Sequence, residues 1–154
     1  MNQKWTRTTY NPEETDGFAR SLGTLLKAND VLTLEGDLGT GKTTFTKGLA
    51  RAIGVTKTVN SPTFTIMKEY KGRLALYHMD AYRIEDDMED LGLDEYFEGD
   101  GVTVVEWPKV IGDQLPGERL DIHIEYGKEL DSRVFRFHAH GQRYEKLCEE
   151  LFQL

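Results

Sequence analysis

Residues 36–43 read Gly36-Asp37-Leu38-Gly39-Thr40-Gly41-Lys42-Thr43 and match the pattern G-x-x-x-x-G-K-[ST] at every fixed position. We call this segment the glycine loop. The β-rich run Val31-Leu32-Thr33-Leu34-Glu35 precedes it, and a helix is predicted from Lys42 to about Ile53. The order of strand, glycine-rich turn and helix is the context in which this pattern binds phosphate.

The residue types of the glycine loop explain its chemistry. Glycines let the backbone curl so that successive N–H groups point at phosphate oxygens, and a helix N-terminus adds partial positive charge. Lys42 can reach the β- and γ-phosphates of a nucleotide, and the Thr43 hydroxyl can ligate Mg²⁺. We predict that the nucleotide contacts are Asp37, Leu38, Gly39, Thr40, Gly41, Lys42, Thr43 and Thr44.

A nucleotide-hydrolysing site also needs a carboxylate that holds Mg²⁺ or its waters. Glu106 directly follows the apolar run Val102-Thr103-Val104-Val105, and Asp80 ends the run that begins at Leu74. In open α/β sheets, ligands bind at the carboxyl ends of the strands. Both residues are therefore candidates, and a solvated acidic residue at a strand end is the alternative for each.

A hydroxyl-rich turn fixed by proline lies between the loop and these carboxylates, with the sequence Asn60-Ser61-Pro62-Thr63-Phe64-Thr65. It fits a switch segment in which Thr63 meets the γ-phosphate or the metal. On the turn alone, a Ser/Thr-type turn leading into a strand is the simpler interpretation.

The rest of the chain alternates helical and strand patterns. Helices are predicted from the Asn11 cap to about Lys27, over 84–91 and over 142–151, and strands over 63–70, 73–80, 102–105, 120–126 and 133–138. The patterns predict an α/β, P-loop NTPase-like three-layer fold with a mixed, partly parallel central sheet and a C-terminal antiparallel ribbon plus helix. At 154 residues, one domain over 1–154 is expected.

Composition excludes several classes of protein. The sequence has no run of 18 or more apolar residues, so no membrane span is expected. The first residues lack the apolar core of a signal peptide, so export is not expected. Cys148 is the only cysteine, which excludes an intramolecular disulfide and a cysteine zinc cage and favours a cytoplasmic location. The net charge of −8 repels nucleic acid, and the basic residues are scattered.

The four histidines give no metal signal in the sequence. His78 lies in a predicted strand without a second histidine at useful spacing, so we do not interpret it as a ligand. His123, His138 and His140 fall in or beside the predicted ribbon and are interpreted as surface or core residues. Trp107 fits either the core or a pocket.

The choice of nucleotide and reaction depends on missing motifs. The sequence contains no Asn-Lys-x-Asp element for guanine and no Asp-x-x-Gly switch, which favours ATP. It also contains no arginine cluster suited to the lid of a small kinase, and Arg83 is the arginine nearest in sequence to the candidate carboxylates. A small ATPase or ATP-dependent switch is favoured, and a small-molecule P-loop kinase is the alternative.

Five segments together resemble the bacterial TsaE (YjeE) family. They are residues 36–44, Ser61-Pro62-Thr63-Phe64, His78-x-Asp80-x-Tyr82-Arg83, Leu91-Gly92-Leu93-Asp94-Glu95-Tyr96-Phe97 and Val105-Glu106-Trp107. Each segment is weak alone, but five in this order are specific, and they cover about the middle half of the chain. Thr40 stands where the family more often has alanine, and both residues are small.

The resemblance implies an ATPase needed to form N6-threonylcarbamoyladenosine on tRNAs that read codons beginning with A. The implied partner is the TsaB–TsaD pair, which transfers the threonylcarbamoyl group. The protein would then contact tRNA only indirectly, through this partner. The implied roles are Thr43 and Glu106 as Mg²⁺ ligands, Lys42 as phosphate clamp, Asp80 as base or water-positioning group, and Thr63 as switch contact. Residues 9–15 are placed on the adenine side.

Overall fold

The computed structural model describes residues 3–37, 39–59, 67–80, 96–108 and 115–153. Within these ranges the chain forms seven strands and three helices. In chain order they are β1 (Gln3–Thr9), α1 (Pro12–Leu25), β2 (Val31–Glu35), α2 (Lys42–Ala52), β3 (Met67–Tyr70), β4 (Leu76–Asp80), β5 (Val102–Glu106), β6 (Arg119–Tyr126), β7 (Arg133–His140) and α3 (Gln142–Leu151).

The strands form one mixed sheet in the order β1-β7-β6-β2-β5-β4-β3. The central strand β2 lies parallel to both β5 and β6, and β4 lies parallel to β5. The ribbon β6–β7 is antiparallel, as its alternating pattern predicts, and β1 and β3 pair antiparallel at the two edges. The predicted α/β fold with a partly parallel sheet and a closing ribbon plus helix is confirmed.

Strand β1 is the main difference from the sequence prediction. Its residues alternate polar and charged side chains around one large apolar residue, Trp5, so no apolar run marks it. It forms because it pairs over its whole length with β7.

The smaller differences from the sequence prediction are at the ends of elements. Helix α1 stops at Leu25, and the backbone of Leu26 is extended. Strand β4 starts at Leu76, and β7 continues to His140. The predicted helix over 84–91 and the first part of the strand over 63–70 lie outside the described residues.

The three helices pack on one face of the sheet and enclose the larger apolar core. Helix α1 starts where Asn11 Oδ1 accepts a hydrogen bond from the Glu14 backbone N–H at 2.8 Å, with Pro12 in the first turn. Helices α1 and α2 pack closely because Gly23 of α1 and Gly48 of α2 have no side chains. A Cβ at either position would collide with the facing helix. Cys148 of α3 lies in this core, and burial raises the pKa of its thiol to about 12.

The alternation of side chains along each strand assigns them to the two faces. In β2, Leu32 and Leu34 join the helix-side core, whereas Val31 joins a smaller cluster on the opposite face with Met79, Phe97 and Val105. On that opposite face, β1, β7 and β6 carry polar and charged side chains, and we call this surface the open face. The glycine loop leads into α2 and therefore lies toward the helix side of the sheet, whereas the open face is on the opposite side.

None of the helices within the described ranges is long and apolar enough to cross a membrane. The two ends of the described chain, β1 and α3, pack with the same sheet and core. The single domain over 1–154 stays a prediction.

Candidate functional site

The glycine loop joins the end of β2 to the start of α2, and its glycines are required by its shape. A Cβ at Gly36 would stand 2.5 Å from the Ile124 carbonyl oxygen and 2.9 Å from Thr40 Oγ1, so no side chain fits there. Gly39 and Gly41 have φ values of +83° and +104°, which side-chain-bearing residues rarely adopt. Thr40 is buried, and its hydroxyl donates to the Asp37 carbonyl at 2.7 Å.

The N-terminus of α2 opens directly from this loop. Gly41 is its N-cap residue, and no side chain among the described residues caps the helix there. The first turn carries no acidic residue. Because the first backbone N–H groups of a helix lack intrahelical partners and carry partial positive charge, this end of α2 suits an anion.

Lys42, the first residue of α2, brings a cation into the same place. The residue is 6% exposed, and Nζ donates to the Gly36 carbonyl at 2.6 Å. The ammonium also lies 4.0 Å from the centre of the Trp107 ring, in cation–π geometry. Trp107 follows β5 with a φ of +58°, so the turn after β5 places an aromatic face against the loop lysine.

Two acidic residues end neighbouring strands beside the loop. Glu106 ends β5 and aligns with Leu34 of β2 on one side and with Asp80, at the end of β4, on the other. The alternation of β4 and β5 puts both carboxylates on the helix side of the sheet, the side of α2. The structure therefore brings together the loop, Lys42 and the two carboxylates that the sequence analysis selected.

Glu106 is held by a histidine that the sequence analysis set aside. His78 Nε2 and Glu106 Oε2 lie 2.6 Å apart, and the two side chains are 0% and 5% exposed. His78 Nδ1 is buried and has no hydrogen-bond partner within the described ranges. The signal that was available is the spacing of two between His78 and Asp80, which puts both on one face of β4.

The β6–β7 hairpin supplies two more residues at the loop. Arg133 Nε donates to the Thr40 carbonyl at 3.0 Å, and its guanidinium lies 4.8 Å from the centre of the Tyr126 ring. The Tyr126 hydroxyl would be 2.8 Å from a Cβ at Gly39. No motif in the sequence marks these contacts, because they join segments about 90 residues apart.

The remaining predicted site residues have the following places. Thr43 is half-buried in the first turn of α2, Thr44 is exposed there, and Asp37 is exposed in the loop. Thr9 and Thr15 are buried, and their hydroxyl oxygens lie 2.7 Å apart. Leu38, Thr63 and Arg83 lie outside the described residues. The roles assigned to all these residues stay predictions.

Fold and loop together define an α/β protein in which a glycine loop of the phosphate-binding type links the central strand to a helix, with carboxylates at the adjoining strand ends. The family model described as "Threonylcarbamoyl adenosine biosynthesis protein TsaE" matches residues 9–135. The chain belongs to the TsaE family, and the resemblance seen in its motifs is confirmed.

Curated relatives and a solved structure agree with this family. A Bacillus subtilis protein named "tRNA threonylcarbamoyladenosine biosynthesis protein TsaE" is 60% identical over 149 residues, which cover 96% of this chain and 92% of the relative. The Treponema pallidum protein of the same name is 42% identical over 114 residues, 73% of this chain and 84% of the relative. The crystal structure of Bacillus subtilis YdiB superposes with a TM-score of 0.87 and 52% identity, covering 99% of this chain and 97% of that one.

Proposed function

We propose that this protein is an ATPase required for the formation of N6-threonylcarbamoyladenosine in tRNA, and that it acts with the TsaB–TsaD complex. The observation that carries the proposal is the convergence of Lys42, the N-terminus of α2 and the strand-end carboxylates at the carboxyl ends of the parallel strands. The names of the relatives, which place them in tRNA threonylcarbamoyladenosine biosynthesis, support the pathway.

The proposed reaction transfers the γ-phosphoryl group of ATP to water, giving ADP and phosphate. The backbone N–H groups of the loop and α2 hold the phosphates, and Lys42 exchanges the Gly36 carbonyl for phosphate oxygens. The aromatic face of Trp107 keeps the ammonium within the site during this exchange. The missing guanine element in the sequence supports ATP over GTP.

The donor chemistry fits Mg²⁺, which prefers oxygen ligands. The Thr43 hydroxyl and the Glu106 carboxylate would hold the ion, which neutralises charge on the phosphates when it is bound. His78 would orient Glu106, because a hydrogen bond to one carboxylate oxygen fixes the direction of the other. Asp80 would orient the attacking water or accept its proton, and Thr63 would contact the γ-phosphate.

Partner dependence follows from the charges that phosphoryl transfer needs. An arginine that reaches the γ-phosphate is typically worth roughly 10³–10⁵ in kcat. Arg133, the arginine seen at the loop, is engaged with the Thr40 carbonyl and the Tyr126 ring. We therefore expect slow turnover by the protein alone, and completion of the site when it docks on TsaB–TsaD in the cytoplasm.

Steady-state phosphate release tests the proposal. We expect slow Mg²⁺-dependent hydrolysis of ATP by the protein alone and an increase of about a hundredfold or more on addition of TsaB–TsaD. Lys42→Ala should abolish both rates, whereas Lys47→Ala in the same helix should leave them unchanged. Fast turnover that partners do not alter would contradict the proposed dependence on them.

Two further measurements separate the alternatives. Arg83→Ala, with Arg20→Ala on α1 as its control, asks whether Arg83 supplies the missing charge. Stimulation that survives Arg83→Ala would point to a group supplied by the partner or to ordering of the turn over residues 61–64. Thin-layer analysis of labelled ATP distinguishes free phosphate, the ATPase product, from a labelled acceptor, which would support a small-molecule P-loop kinase. Tight ATP binding without turnover even in the complex would instead indicate a nucleotide-dependent scaffold.

A further inference from the structure

We infer that Asp121, His138 and His140 form a second metal site, for a borderline divalent ion such as Zn²⁺, on the open face of the sheet. The inference does not depend on nucleotide binding. It rests on the positions of three side chains of the β6–β7 ribbon, on one nitrogen atom without a partner, and on an open approach from solvent.

The ribbon register brings the three residues together. Asp121 of β6 stands directly opposite His138 of β7, and His140 is two residues further along the same strand, so all three point to the open face. Each residue offers one ligand atom, a ring nitrogen or a carboxylate oxygen, and these three atoms all lie within 4.8 Å of one another. The His138 and His140 rings are in contact, with their centres 4.2 Å apart.

The carboxylate is already oriented for this role. Asp121 Oδ1 accepts hydrogen bonds from Thr33 Oγ1 at 2.6 Å and from Arg119 Nε at 2.9 Å, which leaves Oδ2 directed at His140 Nε2, 2.8 Å away. Ligating carboxylates and histidines in metal sites are held by outer hydrogen bonds of this kind. A bound ion would replace the contact between Oδ2 and the histidine.

His138 distinguishes a metal site from a simple ion pair. An ion-pair network accounts for Arg119, Asp121 and His140, but it leaves His138 without a role. His138 Nε2 is buried and has no hydrogen-bond partner among the residues that the structure describes. A buried ring nitrogen without a hydrogen-bond partner is uncommon in a folded protein, and an ion shared with Asp121 and His140 would satisfy it.

The ligand set indicates the class of metal. Two imidazoles and one carboxylate suit Zn²⁺, Ni²⁺, Co²⁺ or Fe²⁺, whereas Mg²⁺ and Ca²⁺ prefer oxygen alone. Three protein ligands leave a coordination position for water. A groove of about 450 Å³ lies beside the cluster, with Thr6, Asp121 and His138 in its lining, and would bring an ion next to two of the three ligands.

Zinc titration of the untagged full-length chain, without nucleotide, tests the inference. We expect one Zn²⁺ per chain by isothermal titration calorimetry, unaffected by millimolar Mg²⁺, and Co²⁺ absorption bands typical of nitrogen ligands. His138→Gln, His140→Gln and Asp121→Asn should each weaken binding by at least about tenfold. His123→Gln is the matched control, since His123 is 45% exposed on the same face of β6 and lies outside the cluster.

The site would be refuted by less than half an equivalent of bound Zn²⁺, by affinity that survives His138→Gln, or by an equal loss in His123→Gln. Circular dichroism of each variant checks that it is folded, and the Co²⁺ spectrum of the unmodified chain tests the ligands without any substitution. Glu106→Gln should bind Zn²⁺ normally, so failure of this site is distinguishable from failure of the proposed ATPase.

Discussion

Two histidine–carboxylate pairs lie on opposite faces of the same sheet, and their geometry is nearly the same. His78 Nε2 stands 2.6 Å from Glu106 Oε2, and His140 Nε2 stands 2.8 Å from Asp121 Oδ2. Their surroundings differ. The side chains of the first pair are 0% and 5% exposed, and those of the second pair are 18% and 30% exposed.

We expect burial, and not distance, to decide how strongly each pair is held. A buried polar group that loses its partner costs about 1–3 kcal/mol, because water cannot replace the lost hydrogen bond. A solvent-exposed pair is typically worth about 0–1 kcal/mol and is easily exchanged. We therefore expect the His78–Glu106 pair to hold its carboxylate in one orientation, and the His140–Asp121 pair to open more readily for another ligand.

The largest effect is expected for the carboxylate next to the buried pair. Asp80→Asn should lower kcat for ATP hydrolysis by about a thousandfold, since a positioned base contributes 10²–10⁴. The nucleotide Kd should change by less than about threefold, because a group that acts on the attacking water affects turnover more than binding. Stopped-flow binding and phosphate release measure the two quantities. Parallel losses in both would remove this division of labour.

Glu106→Gln should weaken Mg²⁺-dependent nucleotide binding by about a hundredfold, because an amide is a poorer ligand for Mg²⁺ than a carboxylate. Nucleotide Kd measured with and without Mg²⁺ separates the metal contribution from the phosphate contacts. Asp121→Asn, the equivalent change in the exposed pair, should leave both values as they are. A Mg²⁺-independent loss in Glu106→Gln would assign Glu106 to the fold and not to the ion.

His78→Asn should lower Mg²⁺-dependent nucleotide affinity by about tenfold, as expected for a residue that orients a ligand. It should also lower the free energy of unfolding by about 2 kcal/mol, because Glu106 loses its partner in a buried place. His140→Gln should cost less than about 1 kcal/mol. Urea denaturation of both variants compares the pairs directly, and equal losses would show that burial does not distinguish them.

The sequence predicts the parts of the site that are local or that repeat with a strand period. The glycine loop is a contiguous motif, and Asp80 and Glu106 end apolar runs, so both follow from short windows of sequence. The bond between His78 and Glu106 does not, since it needs the parallel register of β4 against β5 across 28 residues of chain. The Arg133 contact with Thr40 depends in the same way on where the hairpin lies.

The missed strand β1 has a related cause. An edge strand obtains its hydrogen bonds from one neighbour and buries few side chains, so its composition carries little signal. The open face is also invisible in the sequence, because its members come from β1, β6 and β7 and meet only through the register. Lys4, His138 and Asp121 lie in one row across these three strands, and the row continues to Thr33 of the neighbouring strand β2.

The smallest expected effect concerns tRNA and the open face, which carries the basic side chains of Lys4, Arg119 and Arg136. Each arginine there already faces an acid: Arg119 Nε bonds Asp121 Oδ1 at 2.9 Å, and Arg136 Nε bonds Glu125 Oε1 at 3.2 Å. These pairs cancel the local positive field, and the net charge of −8 repels phosphate at longer range.

We therefore expect the protein alone to bind tRNA more weakly than about 100 µM at physiological salt, at the weak end of non-specific binding. Gel shifts at two salt concentrations, with and without TsaB–TsaD, measure this, and Arg136→Glu should change nothing. Tight binding that falls steeply with salt and disappears in Arg136→Glu would show that the exposed pairs open to phosphate. The contrast with the buried pair would then extend from metal exchange to nucleic-acid binding, because Glu125 would give up Arg136 to a stronger anion while Glu106 stays held by His78.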